Sequence, residues 1–429
     1  MKEEQVIVII GAGICGLFAA CELSQKGKRV IILEARETPG GRIRTISPGF
    51  SRPVDAGAEF IHGDLPITKA LLKEAGVTFH DQEGEFYRSK DSSISQSDDF
   101  IEGWDRVMKE LKSLQHDTTL AAFLSGHFPS EKDKELRNAV TRLAEGFDAA
   151  DAERISAFAV REEWSGDTIE SSSQIEGGYM ALVEFLLAEC KKNKCEIRLS
   201  TEVKEIRYEK ERVTIVCSNG EPIEASQALI TVSLGMLTSA ENEKGHIHFI
   251  PGIPEKIAAA KKMGFGPVIK INLEFQSVFW NNSDFSESAT QLPDLGFLNS
   301  ESEFAVWWTQ SPGKPFLTGW CGGSRAEKLS LLSDDALLEK AIASLSAAML
   351  TSEQLIRQEL LAGAVSNWGR DPFTKGAYSY ETTETAEAKK ILSEPIEQTI
   401  YFAGEALGNS TGTVEAALES AKEAVKKMI

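Results

Sequence analysis

Hydrophobic and polar positions along the first part of the chain follow two different rhythms. Val6–Ile10 is an unbroken apolar run of strand length, the pattern of a strand covered on both faces. After three closely spaced glycines, Ile14, Leu17, Cys21 and Ser24 recur at helical spacing and form one mostly apolar face. Arg29–Leu33 reads as a second strand. A looser stretch rich in Gly, Pro and Arg runs from Glu37 to Gly63. The segment from about Ile67 to Ala159 is expected to be mainly helical, interrupted by a polar linker at Ser89–Asp99.

A helix over Val183–Glu189 leads into short β-rich segments, Glu196–Leu199, Val203–Tyr208 and Val213–Cys217, with Asn219-Gly220 as a hairpin signal. Further strands are expected at Val268–Phe275, Phe304–Thr309 and Phe316–Trp320. Asp334–Met349 is an amphipathic helix, and the chain closes with strand Thr399–Ala403 and helix Thr413–Lys427. This order is α/β and interleaved: one unit takes the N-terminus, a middle segment and the C-terminus, and another fills the gaps. The expected division is 1–80, 172–245 and 360–429 against 81–171 and 246–359.

The glycines carry the first chemistry. Gly11, Gly13 and Gly16 stand at G-x-G-x-x-G spacing between a strand and a helix. The first allows the tight turn, the second lets backbone approach a pyrophosphate, and the third lets helix pack on strand. The helix N-terminus offers free N–H groups to phosphate. Glu34 ends the second strand, where a carboxylate accepts both hydroxyls of an unphosphorylated ribose. Together these features predict dinucleotide binding.

Composition narrows the partners. Net charge is −19 over 429 residues, which disfavours nucleic acid. No apolar run reaches bilayer length and none reads as a signal peptide, so neither a membrane nor export is expected. The six cysteines form no Cys-x-x-Cys pair, and no His pair has zinc spacing; a reducing cytoplasm and no metal fit this pattern.

Gly40-Gly41-Arg42 follows the acid closely. Two glycines permit unusual backbone close to a ligand, and an arginine there can pair with pyrophosphate. With VDAGAEFIHG (Val54–Gly63), GFGPVIKINLEF (Gly264–Phe275), NWGRDPFTKGAYSY and YFAGEALGNSTGTVEAALESAKEAV, this arrangement resembles the flavin-containing amine oxidase superfamily. That superfamily includes monoamine oxidases, polyamine oxidases and lysine-specific histone demethylases.

The resemblance implies a glutathione-reductase-like FAD-binding (Rossmann-type) domain interleaved with an α+β substrate-binding domain. It implies that Glu34 and Arg36 hold the adenosine ribose region, and that Arg42 with Gly41 and the Gly57, Ala58, Glu59, Phe60 backbone holds the pyrophosphate and flavin side. Val203 would read the adenine edge, and Glu405, after Gly404, would touch pyrophosphate or ribityl oxygens. Trp368 and Tyr378 would flank the flavin. The helix end at Thr413-Val414 would aim N–H groups at its pyrimidine edge. Lys270 would sit beside the flavin through a water, and His62 would orient or deprotonate the substrate. Thr413 stands where a second aromatic wall is common, which suggests room for a bulky or secondary amine.

Ala377 occupies the position of the cysteine that tethers flavin in monoamine oxidases, so FAD is expected to be noncovalent. The implied reaction moves hydride from an amine α-carbon to flavin. The iminium is hydrolysed to an aldehyde or ketone, and oxygen reoxidises the flavin with release of hydrogen peroxide. Two other readings share the N-terminal motif: a carbon–carbon desaturating flavoenzyme of the protoporphyrinogen or carotenoid type, and a non-catalytic flavin-stabilised scaffold.

Overall fold

The computed structural model describes residues 5–96, 101–165, 172–281, 291–310, 313–409 and 411–429. Its first sheet has five strands, all parallel, in the spatial order 196–198, 29–33, 6–10, 227–230, 400–402. Val6–Ile10 lies at the centre with a neighbour on each side, which is why its side chains are apolar without alternation.

Both faces of this sheet are covered. On one, Ile7 and Ile9 pack against helices Ile14–Gln25, Met180–Lys192 and Val414–Met428. On the other, Val8 and Ile10 meet a four-stranded sheet of residues 203–209, 212–217, 223–225 and 248–250. Helix Ile14–Gln25 is therefore buried nearly all round, from Ile14 to Leu23 with only Glu22 partly exposed. The single apolar face expected from spacing understates this burial, because two further helices press on the opposite side.

A second, seven-stranded sheet runs in the order 360–367, 268–275, 316–322, 306–308, 295–299, 85–90, 93–96. Helix Asp334–Met349 covers one face, against Ile269, Ile271, Leu273 and Phe275. A separate cluster of helices between Trp104 and Trp164 packs around Val107, Leu120, Phe123 and Val140.

Three sequence expectations change here. Part of the expected polar linker at Ser89–Asp99 is a β-hairpin, Glu85–Lys90 with Ser93–Gln96, turned through Asp91 and Ser92 at φ +50° and +58°. It reads as polar because its second strand is a largely exposed sheet edge; residues 97–99 lie outside the described set. Strand Leu360–Asn367 pairs with Val268–Phe275, so the boundary at 360 falls within the seven-stranded sheet. Strand His248–Ile250 pairs with Val203–Glu209, which carries the boundary at 245 past 250.

Candidate active site

One cavity of about 570 Å³ runs from the glycine turn to the sheet face bearing Lys270. Gly11, Gly13, Glu34, Arg36, Gly41, Arg42, Gly57, Ala58, Glu59, Phe60, His62, Val203, Lys270, Trp368, Tyr378, Gly404, Glu405, Thr413 and Val414 all line it. Gly16 does not, and the reason is local: a Cβ there would stand 2.1 Å from the Gly11 carbonyl oxygen. Its role is helix-on-strand packing. Gly13 is different. A Cβ there meets only the Gly40 carbonyl oxygen, at 4.0 Å, so its missing side chain leaves space for something outside the protein.

At this end Glu34 is held in place by backbone, and the two arginines by groups far along the chain. Glu34 accepts from Ala12 N–H at 2.8 Å and from Arg36 N–H at 2.9 Å, which fixes its carboxylate at the strand end. Arg36 is bound to Asp371 and donates to Thr374 Oγ1 at 2.8 Å. Arg42 donates to the Ala377 carbonyl and to Glu405 Oε1 at 2.7 Å, and Glu405 accepts from Ser379 Oγ at 2.5 Å. Arg42 and Glu405, expected as separate cofactor contacts, are thus paired with each other. A guanidinium has five donors, so Arg42 keeps capacity for a further anion.

The C-terminal helix starts as expected. Thr413 caps it, its Oγ1 accepting from Ala416 N–H at 3.0 Å. The next residues hold a detail that spacing did not reveal. Glu415 reaches away from its own helix and accepts from Ile67 N–H, Thr68 N–H and Thr68 Oγ1 at 2.7–2.8 Å. It thereby caps helix Pro66–Ala75, which has no capping side chain of its own.

Lys270 sits on a strand whose eight residues are all buried. It is 1% exposed, which excludes a solvated lysine on an open sheet face. Its ammonium donates to Glu59 Oε2 at 2.6 Å and to the Gly57 carbonyl at 3.1 Å. Two of its three protons are so engaged, and the third is available to the cavity. Glu59 also accepts from Gln174 Nε2 and Trp308 Nε1, each at 3.0 Å. A buried ion pair is tolerated when its remaining lone pairs are satisfied in this way.

His62 contacts Ser172 Oγ through Nδ1 at 3.0 Å and lies between Phe60 and Phe147, ring centroids 5.6 Å from each. Burial pushes its pKa down to about 4. The imidazole is neutral at pH 7, so orienting a substrate suits it better than taking up charge. Tyr378 donates to the Phe147 carbonyl at 2.5 Å and lies nearly parallel to Trp320, centroids 6.4 Å apart at 19°.

Several lining residues were not singled out from sequence. Trp320 stands opposite Lys270 across the strand pair 268–275/316–322. Asp148 follows helix Lys134–Phe147 and Glu163 lies in helix Ala157–Trp164; Asp148 is 4% exposed. Burial pushes both carboxyls up, and in Asp148 the charge of Glu163 adds to it. Like charges so close cannot both ionise freely, so the pair retains a proton well above the usual carboxylate range. Nothing local in sequence marks them; only the fold brings residues 148 and 163 beside 378.

A parallel sheet with a glycine turn, a strand-end acid and a cavity continuing to a buried lysine defines a dinucleotide-dependent oxidoreductase of the flavoprotein class. The pattern of the flavin-containing amine oxidoreductases matches residues 14–429, and the chain belongs to that family; its cofactor is FAD.

Among similar proteins is polyamine oxidase 4 of Oryza sativa subsp. japonica, 26% identical over 99% of this chain and 89% of that protein. Lysine-specific histone demethylase 1 homolog 3 of Arabidopsis thaliana is also 26% identical, over 94% of this chain but only 28% of that longer protein. Among solved structures, wild-type putrescine oxidase bound to putrescine aligns with a TM-score of 0.81 at 17% identity, covering 98% of both chains. Cyclohexylamine oxidase from Brevibacterium oxydans aligns at 0.79 and 19% identity, covering 99% of this chain and 98% of that one. The fold is accordingly that of the FAD-dependent amine oxidases.

FAD suits the residues present. The space beside Gly13, the fixed carboxylate of Glu34 and the N-terminus of helix Val414–Met428 all open on the one cavity.

Proposed function

We propose that this flavoenzyme oxidises a small amine bearing a second positive charge, such as a diamine or polyamine, with oxygen as acceptor. One observation carries the reading: the acid pair Asp148–Glu163 lies beside Tyr378 in the cavity that also holds Lys270 and the glycine turn. Bound FAD supplies the acceptor for a hydride from the amine α-carbon. Tyr378 and Trp320 provide an aromatic wall for the aliphatic chain. His62, neutral, holds the reacting nitrogen in its uncharged form, which has the lone pair that oxidation needs. The acid pair receives the far ammonium. Water hydrolyses the resulting iminium, and oxygen yields hydrogen peroxide.

Two further features support finer parts of the reading. Cys15 is the one thiol lining the cavity among the described residues, and burial pushes it up to about 12, so it is a poor nucleophile for tethering flavin. Noncovalent FAD follows. All six cysteines are free, which suits a reducing compartment such as the cytoplasm. Among the described residues no helix is long and apolar enough to cross a membrane.

The test is anaerobic mixing with α,ω-diamines and with monoamines of equal length, read by loss of the oxidised-flavin absorbance. Diamines are expected to bleach it faster. An absorbance that no amine lowers, while a carbon–carbon desaturase substrate does, would sink the assignment in favour of the desaturating alternative.

A further inference from the structure

The face of strand Val268–Phe275 that carries Lys270 also carries Asn272 and Glu274, 2% and 5% exposed. Neighbouring strands add Ser366, directly opposite Lys270, and Thr318, opposite Asn272. Three consecutive inward polar residues on a buried strand face need a covering layer that is polar too. It comes in part from the loop before Val54: Ser51 N–H donates to Glu274 Oε2 at 2.8 Å, and Arg52 lies over the Phe316 ring at 4.2 Å. Phe316 is itself opposite Glu274.

In this layer four buried polar atoms lack a hydrogen-bond partner among the described residues. They are Asn272 Oδ1, Ser366 Oγ, and Nε and Nη2 of Arg52. They are not incidental flaws in packing. Asn272 is oriented, its amide donating to Thr318 Oγ1 at 3.3 Å, so its carbonyl oxygen is the atom left over. Acceptor, hydroxyl and donors are all represented, the mixture that ordered water satisfies. The set starts at Ser366 beside Lys270 and ends at Arg52, next to the exposed Ser51.

We propose that a file of ordered waters runs from the Lys270 ammonium along Ser366 and Asn272 to Arg52 and Glu274, and that it delivers a proton from solvent to the flavin side of the cavity. The inference rests on the amine-oxidase reading for its chemistry. A hydride taken from an amine brings two electrons and one proton. Converting oxygen to hydrogen peroxide takes two electrons and two protons, so one further proton must arrive. Lys270 is placed to relay it. Its two engaged protons hold Glu59 and Gly57, and the third exchanges with water. Ser366, Asn272 and Arg52 are positioning residues here, acting through water on Lys270.

The test has two arms on the holoenzyme. A high-resolution crystal structure is expected to show waters bonded to Asn272 Oδ1, Ser366 Oγ and Arg52 Nη2 in one connected chain to Lys270 Nζ. A dry interface, with those atoms paired directly to protein, overturns the proposal.

In the second arm, the enzyme is reduced with dithionite rather than an amine and mixed with oxygen. Ser366→Val, which plugs the file beside Lys270, is expected to slow reoxidation about tenfold and to raise its solvent isotope effect. Arg52→Met, at the remote end, gives a second variant should Ser366→Val fail to fold. Reoxidation at the parent rate in a folded plugged variant overturns the proton route. Because no amine is used, failure of the amine assignment shows separately, in the amine panel.

Discussion

The glycine-turn end and the Lys270 end of the cavity are built by different strategies. At the glycine-turn end, backbone does the holding: a glycine turn, a helix terminus, and Glu34 fixed by two N–H groups close to it in the chain. The contacts that fix Glu34 are short in sequence, with Ala12, Glu34 and Arg36 within 24 residues, while Arg36 and Arg42 are anchored across 335 and 363 residues by Asp371 and Glu405. At the Lys270 end, side chains do the holding, and they come from far apart. Lys270 reaches Glu59 across 211 residues, Trp308 reaches Glu59 across 249, and Tyr378 reaches Phe147 across 231. The lesson is that the glycine turn and the strand-end acid are properties of one supersecondary unit, whereas the buried lysine and its partners are a property of the assembled fold. Such a division leaves the second end free to vary while the first stays recognisable.

The largest expected effect tests the backbone end. Gly16→Ala puts a Cβ 2.1 Å from the Gly11 carbonyl oxygen, so helix and strand must separate. Loss of soluble protein is expected in an expression assay. Gly13→Ala sharpens the point: its Cβ is clear of protein, so the apoprotein should melt within a few degrees of the parent yet purify colourless. Equal behaviour of the two variants would break the distinction between a packing glycine and a ligand glycine.

Lys270→Met tests the side-chain end. It leaves Glu59 buried, and a charge stranded in that way costs about 3–5 kcal/mol. Denaturant titration should show that loss, with most of it recovered in Lys270→Met/Glu59→Gln. Flavin reoxidation should stay slow in both, which separates stability from chemistry. Asp148→Asn is expected to reduce kcat/KM for a diamine by about tenfold to a hundredfold, with a monoamine of equal length changed less than threefold. A parallel loss for both substrates would remove the ammonium role of the acid pair.

The smallest effect is a pH dependence. His62 ordinarily titrates at 6.5 and is held at about 4 here. Between those values the unfolded chain binds a proton that the folded chain does not, so stability falls as pH drops from 6.5 towards 4. Asp55 acts in the other direction. Burial pushes its pKa from 3.8 to about 7, so the folded chain keeps a proton the unfolded chain has lost, and stability falls as pH rises from 4 to 7. In melting curves across that range, His62→Gln should lose less stability on acidification than the parent. Asp55→Asn should gain most over the parent at the neutral end.

Glu34, the glycine triplet and the strand–helix–strand around them were legible because each depends on neighbours in sequence and on a fixed repeat. Lys270 and Tyr378 were singled out through family resemblance and both line the cavity, but their partners were not legible. Periodicity put Ile269 and Ile271 on one face and Lys270 on the other, and it left open what covered the second face. The hairpin at 85–96 was hidden by polarity, since an exposed edge strand has no reason to be apolar.

By itself, then, the sequence determined the dinucleotide unit, the α/β class and the identity of the strand carrying the lysine. Only the tertiary structure decided that Glu59 pairs with that lysine, that Asp148 and Glu163 meet in the cavity, and that Asn272 and Ser366 share one buried sheet face with Lys270. The physical reason is range. Backbone turns and helical spacing are set over a few residues, while charge pairing and burial depend on which surfaces close together, and hydrophobic covering chooses those surfaces without regard to distance along the chain.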